Sequence, residues 1–96
     1  MKRIVVKIGG ALLNAPLDEL WSGLEELLFG AEVVLVHGGG PQTTEMAIKL
    51  DHEPIIVQGR RVTSALDLDI LKWVIRGELN VNLVAAAGVA GIRAVG

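Results

Sequence analysis

Val33-Val34-Leu35-Val36-His37-Gly38-Gly39-Gly40-Pro41-Gln42 is the stretch on which the reading of this chain turns. An apolar, β-branched run, the mark of a strand, stops at three consecutive glycines. A proline then opens a pattern of helical character. Glycines let a backbone come close to a ligand, and the first N–H groups of a helix have no intrahelical acceptor. Pro41 suits the first helical turn, where its missing N–H costs nothing. Strand, glycine turn and helix start together make a site for an anion, either a phosphoryl group or a carboxylate.

The same theme occurs upstream. Ile4-Val5-Val6-Lys7-Ile8 runs into Gly9-Gly10 and reads as a strand buried on both faces, because its apolar residues point both ways. Residues 11–15 carry no clear pattern. Pro16 to Phe29 reads as a helix whose Leu17, Leu20, Trp21, Leu24, Leu27 and Leu28 share one face. Asp18 and Glu19 suit its first turn and Gly30 its C-cap. Glu32 to Val36 is the second strand, and a second helix runs from Pro41 to Leu50.

Downstream, Glu53-Pro54-Ile55-Ile56-Val57-Gln58-Gly59 is extended and then turns, and Arg60-Arg61-Val62-Thr63 pairs back as a hairpin arm. Thr63 or Ser64 caps a helix carrying Leu66, Leu68, Ile70, Leu71, Val74 and Ile75. Gly77 marks a bend or a close contact, Glu78 to Ala87 forms a further helix ended by Gly88, and Ile92 to Val95 begins another strand. Strands alternating with helices predict an α/β fold with a mainly parallel sheet and helices on both faces.

The 96 residues make one small domain, 51% of them hydrophobic, with a mean hydropathy of +0.51. A domain this small buries about 60–65% of the surface its unfolded chain exposes, so part of the apolar surface is expected to have a cover. Net charge is -2 and aromatics are 3%, which argues against a nucleic-acid surface. Cysteine is absent, so neither a disulfide framework nor a thiolate metal site is expected. The N-terminus lacks a signal-peptide pattern, and the longest uncharged stretch, Leu79 to Ile92, is too short to span a membrane. A soluble cytoplasmic protein is the expectation.

In parallel α/β sheets, ligands gather at the carboxyl ends of the strands. If the first two strands are neighbours, Gly9-Gly10 and Gly38-Gly39-Gly40 open on one edge. Lys7, two residues before its turn, can place a compact positive charge on a phosphate oxygen there. Two sets of backbone N–H groups with one lysine are the equipment of phosphoryl transfer, which works by positioning and charge neutralisation. Arg60 and Arg61 are adjacent, so on extended backbone they point to opposite sides. The one facing the site would clamp a carboxylate. His37 reads as a local hydrogen-bond partner, His52 as a surface residue, and Asp67 and Asp69 as a solvated helix face. Trp21 and Trp73 suit core or interface packing. No metal-ligand spacing, P-loop or dinucleotide fingerprint is present.

Val5-Val6-Lys7-Ile8-Gly9-Gly10, Val36-His37-Gly38-Gly39-Gly40-Pro41-Gln42 and Gly59-Arg60-Arg61-Val62-Thr63, in this order and at these intervals, resemble the amino acid kinase family. Gly77-Glu78-Leu79-Asn80 leading to Leu83-Val84, and Ala94-Val95-Gly96, fit as well. Within the family the Gly-x-Arg-Val-Thr segment is typical of the N-acetylglutamate kinase branch. The resemblance implies a three-layer αβα sandwich of which residues 1–96 form the N-terminal, substrate-binding part, with the nucleotide-binding C-terminal half absent. It implies transfer of a phosphoryl group from ATP, with Mg2+ held through the nucleotide phosphates, to the side-chain carboxylate of N-acetyl-L-glutamate in arginine biosynthesis. Lys7 would be catalytic and, with Gly9 and Gly10, would bind the nucleotide phosphates. Gly39 and Gly40 would bind the acceptor near its reacting carboxylate, and Arg61 would hold its α-carboxylate. Aspartate or an aminoadipate derivative would suit the same residues, and so would a non-catalytic ligand-binding or assembly role. Two positions depart from the family pattern: Val81, where relatives often carry lysine, and Arg60, where they usually carry an apolar residue. The chain begins directly at its first strand, without the leading helix of hexameric, arginine-inhibited relatives, so a homodimer is expected, or no defined assembly for an isolated fragment.

Overall fold

The computed structural model describes residues 1–53 and 55–96. Pro54, part of the expected extended segment, lies outside the described residues. Strand β1 (Lys2–Ile8) pairs in parallel with β2 (Ala31–His37), in a register from Lys2 opposite Ala31 to Ile8 opposite His37. Helix α1 (Asp18–Leu28) connects them, with a 3-10 turn over Gly10–Asn14 before it. Because the two strands end level, both glycine turns leave the same sheet edge, as expected from the sequence.

The strands are covered on one face. Ile8 and Ala31 are buried, and Ile4, Val6, Val33, Leu35 and His37 are half-buried. On the other face Val5, Val34 and Val36 remain 65%, 45% and 43% exposed. The expectation of a first strand buried on both sides is therefore not met within this chain. Its apolar pattern is that of a strand with two covers, and these 96 residues supply one.

After the triple glycine, α2 (Gly40–Lys49) starts with Pro41 in its first turn. The expected hairpin is present: β3 (Ile55–Val57) pairs antiparallel with β4 (Arg60–Val62) across Gln58-Gly59, both at positive φ. Ser64 caps α3 (Ala65–Leu71) in a capping box, its side chain accepting from the backbone N–H of Asp67 while the Asp67 carboxylate accepts from the backbone N–H of Ser64.

Three expectations are corrected beyond α3. Gly77 does not separate two helices. The chain stays helical through a π-wound segment (Lys72–Leu79) into α4 (Asn80–Val89). A glycine weakens a helix without ending it when packing holds the rest, and Val74, within this segment, is in the core. Gly88 is likewise inside α4. The helix ends at Gly91, at φ 84, with the Gly91 N–H donating to the Gly88 carbonyl and the Ile92 N–H to the Ala87 carbonyl. That pair of bonds is a Schellman motif, in which glycine relieves the left-handed turn. Residues 92–95, expected to begin a strand, form none. They line a cavity of about 370 Å³ together with Val33, Val34 and Leu35 of β2, but no ladder joins them to that strand among the described residues.

The best-buried cluster is Ala47 of α2 with Ile70 and Val74, flanked by Met46 and Leu79. It clamps α2 onto the long helix and so fixes where the helix start beside the glycines can lie. No helix of the described residues is long and apolar enough to cross a membrane.

Candidate anion and acceptor site

The two glycine turns touch through their backbones. A Cβ added to Gly10 would fall 2.7 Å from both the Cα and the N of Gly39. Gly39 itself is buried, and a Cβ there would meet Leu79 Cδ1 at 2.5 Å and Ile75 Cγ1 at 2.8 Å. Ile75 and Leu79 are four residues apart on the π-wound segment, so the triple-glycine turn is wedged between that segment and the first turn. The glycines at 10 and 39 are thus packing requirements. Gly9 and Gly40, in contrast, have open space where a side chain would begin.

Side chains lock this arrangement. Gln42 Nε2 donates to the Gly10 carbonyl at 2.6 Å and to Asn14 Oδ1 at 3.2 Å, stitching the first turn of α2 to the segment after β1. Its Oε1 is buried without a hydrogen-bond partner among the described residues, an unsatisfied acceptor at the junction of the two turns. Buried Thr43 donates from Oγ1 to the Gly39 carbonyl at 2.7 Å, and its backbone N–H donates to the same oxygen at 2.8 Å. The backbone N–H groups of Gly9, Gly10, Gly39 and Gly40 donate to no backbone acceptor among the described residues. Four free donors on one sheet edge, two of them at the start of α2, favour a negatively charged group.

Arg61 comes to this edge from the hairpin. Its Nη2 donates to the Gly40 carbonyl at 3.3 Å and to Thr44 Oγ1. Arg61 is half-buried while Arg60 is exposed, which resolves the alternation of the pair. Both contacts use one nitrogen of a guanidinium that carries five N–H donors, so a carboxylate can still be gripped by the others. Gly39, Gly40 and Arg61 are therefore brought together, and Gly10 is in contact with Gly39. Lys7 lies at the same edge in register opposite Val36. Its side chain is exposed, on the face opposite Ile8, and it forms no salt bridge among the described residues.

His37 is held locally, as its place at a strand end suggests. Its Nδ1 lies 2.9 Å from the Gly38 carbonyl and its Nε2 lies 3.2 Å from Asn80 Nδ2. The Nδ1-protonated tautomer satisfies both, donating to the carbonyl and accepting from the amide. Arg76 Nη1 donates to Asn80 Oδ1 at 3.0 Å, which orients that amide. Asn80, Gln42 and Thr44 were not singled out from the sequence. Gln42 lies within the glycine motif, and its position just after the helix-opening proline was the available signal. The other two are reached only through the fold.

Two expectations about charged residues are overturned nearby. Asp67 is 5% exposed and not on a solvated helix face. His52 is half-buried rather than superficial, with Nε2 2.7 Å from Asp67 Oδ1. Asp69, as expected, is exposed. Hydrogen bonds from the Ser64 backbone and hydroxyl, aided by the bond and charge of His52, lower the Asp67 pKa to about 2. Among the described residues no group of three or more His, Asp or Glu side chains could hold a metal ion.

The model of the "Amino acid kinase family" matches residues 2–96. The chain is 42% identical over 98 residues to a protein named acetylglutamate kinase from Anaeromyxobacter dehalogenans (strain 2CP-C), covering 100% of this chain and 36% of that protein. It is 44% identical over 95 residues to an acetylglutamate kinase of Sorangium cellulosum (strain So ce56), covering 97% and 34% respectively. The solved structure titled "The Crystal Structure of smu.665 from Streptococcus mutans UA159" superposes with a TM-score of 0.83 at 27% identity, over 93% of this chain and 37% of that one. The chain thus spans about a third of the length of the relatives it matches.

Proposed function

We propose that this chain, which belongs to the amino acid kinase family, is the acceptor-binding part of a kinase that phosphorylates the side-chain carboxylate of N-acetyl-L-glutamate. The observation that carries the reading is the reach of Arg61 onto Gly40 and Thr44 at the start of α2. It sets a guanidinium beside a bed of free N–H groups, and a dicarboxylate acceptor needs both. One carboxylate would be gripped by Arg61. The other would lie against the Gly39 and Gly40 N–H groups, held for attack.

In the reaction, an oxygen of the held carboxylate attacks the γ-phosphorus of ATP. The bond to the β–γ bridging oxygen breaks, and ADP leaves with the electron pair. Negative charge builds on the phosphoryl oxygens during transfer, and fixed donors at those oxygens lower the barrier. Gly9 and Gly10 would supply N–H donors on the nucleotide side, and Lys7 a positive charge near the group in flight. Mg2+ would come with ATP as part of the substrate. The complete enzyme would be a cytoplasmic homodimer of arginine biosynthesis.

Titration of the ¹⁵N-labelled chain with N-acetyl-L-glutamate tests the acceptor assignment. Shifts centred on Gly39, Gly40 and the Arg61 side chain, stronger than those from aspartate or 2-aminoadipate derivatives, are expected. Equal or absent responses to all three acids would sink it.

A further inference from the structure

The hairpin that carries Arg61 has little packing of its own. Every described residue of β3 and β4 is exposed except Arg61. A segment so poorly buried cannot hold a long side chain in place by its own contacts, because ordering the backbone alone costs about 1–2 kcal/mol per residue. Something at its base must fix it.

That base is a single carboxylate. Asp67 Oδ1 lies 2.7 Å from Nε2 of His52, on the strand of chain entering the hairpin. Asp67 Oδ2 accepts from the Ser64 backbone N–H at 2.8 Å and from Ser64 Oγ at 2.7 Å, on the strand leaving it. The two oxygens thus take one end of the excursion each. The entering end is further fixed, since the His52 N–H donates to the Ala47 carbonyl at 2.8 Å after a left-handed Asp51 at φ 55. The leaving end is the N-cap of α3. Ala47 and Ile70, on the helices that Asp67 ties together, are in the best-buried cluster. The clasp therefore stands on the best-buried part of the chain and faces outward to its exposed hairpin.

We propose that Asp67 and His52 are positioning residues for the acceptor site, closing both ends of the 55–62 hairpin so that Arg61 is held over the start of α2. Neither residue touches the proposed acceptor. They act through Arg61, by reducing the conformations it must give up on binding. His52 supplies an N–H to a carboxylate, which a neutral amide can also supply, so geometry matters here more than the imidazole itself. The inference deepens the acceptor reading above and rests on it for the choice of ligand, but not for the clasp.

The test separates the two. Hydrogen exchange of the hairpin amides is measured first, with no ligand, in the wild-type chain and in His52→Ala, His52→Gln and Asp67→Asn. In His52→Ala, exchange at residues 55–62 is expected to rise roughly tenfold, the loss of one hydrogen bond to a charged group, while β1, β2 and α2 amides stay as they were. His52→Gln is expected to restore most of the protection. N-acetyl-L-glutamate is then titrated, and His52→Ala is expected to weaken its binding several-fold, with partial rescue in His52→Gln. Hairpin exchange unchanged in both His52→Ala and Asp67→Asn overturns the clasp. So does a uniform rise across all elements, which would mean general loosening. If the wild-type chain binds no N-acetyl-L-glutamate, the acceptor reading falls, and the exchange comparison still decides the clasp.

Discussion

The Cβ that Gly10 lacks would lie 2.7 Å from the Cα of Gly39, and the two glycine turns of the sheet edge meet at that point. The obstacle is backbone on both sides, so no rotamer change can relieve it. Gly10→Ala is expected to destabilise the chain by about 1–3 kcal/mol, the usual cost of overpacking. For a domain of this size that lowers Tm by roughly 4–8 °C per kcal/mol. Gly9→Ala, where a side chain meets open space and φ is -72, should leave Tm nearly unchanged. Thermal unfolding of both variants checks the contrast, and equal Tm losses would refute it.

Gly23 offers the opposite sign. It lies inside α1, with nothing within 4 Å of its missing Cβ. Glycine in a helix interior costs about 0.8–1 kcal/mol relative to alanine. Gly23→Ala is therefore expected to raise stability by about that amount in denaturant titration, with an unchanged m-value.

Arg61 and Arg60 should part sharply on substitution. Arg61→Ala is expected to weaken binding of N-acetyl-L-glutamate by about 1.5–3 kcal/mol, the range of a hydrogen bond to a charged group. Arg60→Ala should change little, because its side chain is exposed. Arg61→Lys should not rescue, since an ammonium cannot hold Gly40, Thr44 and a carboxylate with the same planar fork. Calorimetric titration of the three variants distinguishes these outcomes.

Much of this site could be read from residue order, for physical reasons. Strand-into-glycine punctuation at residues 8–10 and 36–40 is local, and the parallel pairing that brings the turns together follows from the α/β alternation. Period-two alternation put Arg60 and Arg61 on opposite sides without saying which faces the site, and the fold turns Arg61 inward. The choice between Thr63 and Ser64 as helix cap was settled by the capping box, which needs Asp67 three residues later. What could not be read depends on contacts distant in sequence. Asp67 looks like any helix-face acid until His52 arrives fifteen residues upstream. Gly77 looks like a breaker, and the packing that carries the helix through it is tertiary. The helix end at Gly91 rather than Gly88 was decided by which glycine could take positive φ with the Schellman bonds in place. Residues 92–95 have strand composition, but a strand exists only with a partner.

The clasp gives a pH dependence of definite sign. The Asp67 pKa is lowered from 3.8 to about 2 by Ser64 first and His52 last. The folded chain therefore holds this carboxylate ionised where the unfolded chain would protonate it. Its stabilisation is complete above the unfolded value and is lost as pH falls from about 4 towards 2. His52 faces it directly, with Asp51 and Glu53 flanking His52 in sequence and Asp69 exposed on the helix. Acid unfolding of Asp67→Asn should accordingly be less steep than wild type over that interval. Superimposable acid transitions would show that Asp67 gains nothing from its partners in the fold.

Lys7 bears on turnover rather than binding. It stands at the end of β1, opposite Val36, on the sheet face where Val5, Val34 and Val36 are exposed. A lysine that stabilises charge appearing only during transfer should affect kcat and leave acceptor affinity intact. In a protein that carries this chain and turns over, Lys7→Ala is expected to lower kcat by at least roughly 100-fold, the scale of losing one transition-state donor, with little change in KM for the acceptor. Acyl phosphate trapped as hydroxamate with hydroxylamine, using N-acetyl-L-glutamate and Mg-ATP, gives the rate. The 96-residue polypeptide alone is expected to yield no hydroxamate, since the face bearing Lys7 has no cover to exclude water from a phosphoryl group in transfer. Robust hydroxamate from the polypeptide alone would mean that these residues suffice for the nucleotide as well as the acceptor. An unchanged kcat in Lys7→Ala would remove Lys7 from the chemistry and leave the glycine N–H groups as the source of charge stabilisation.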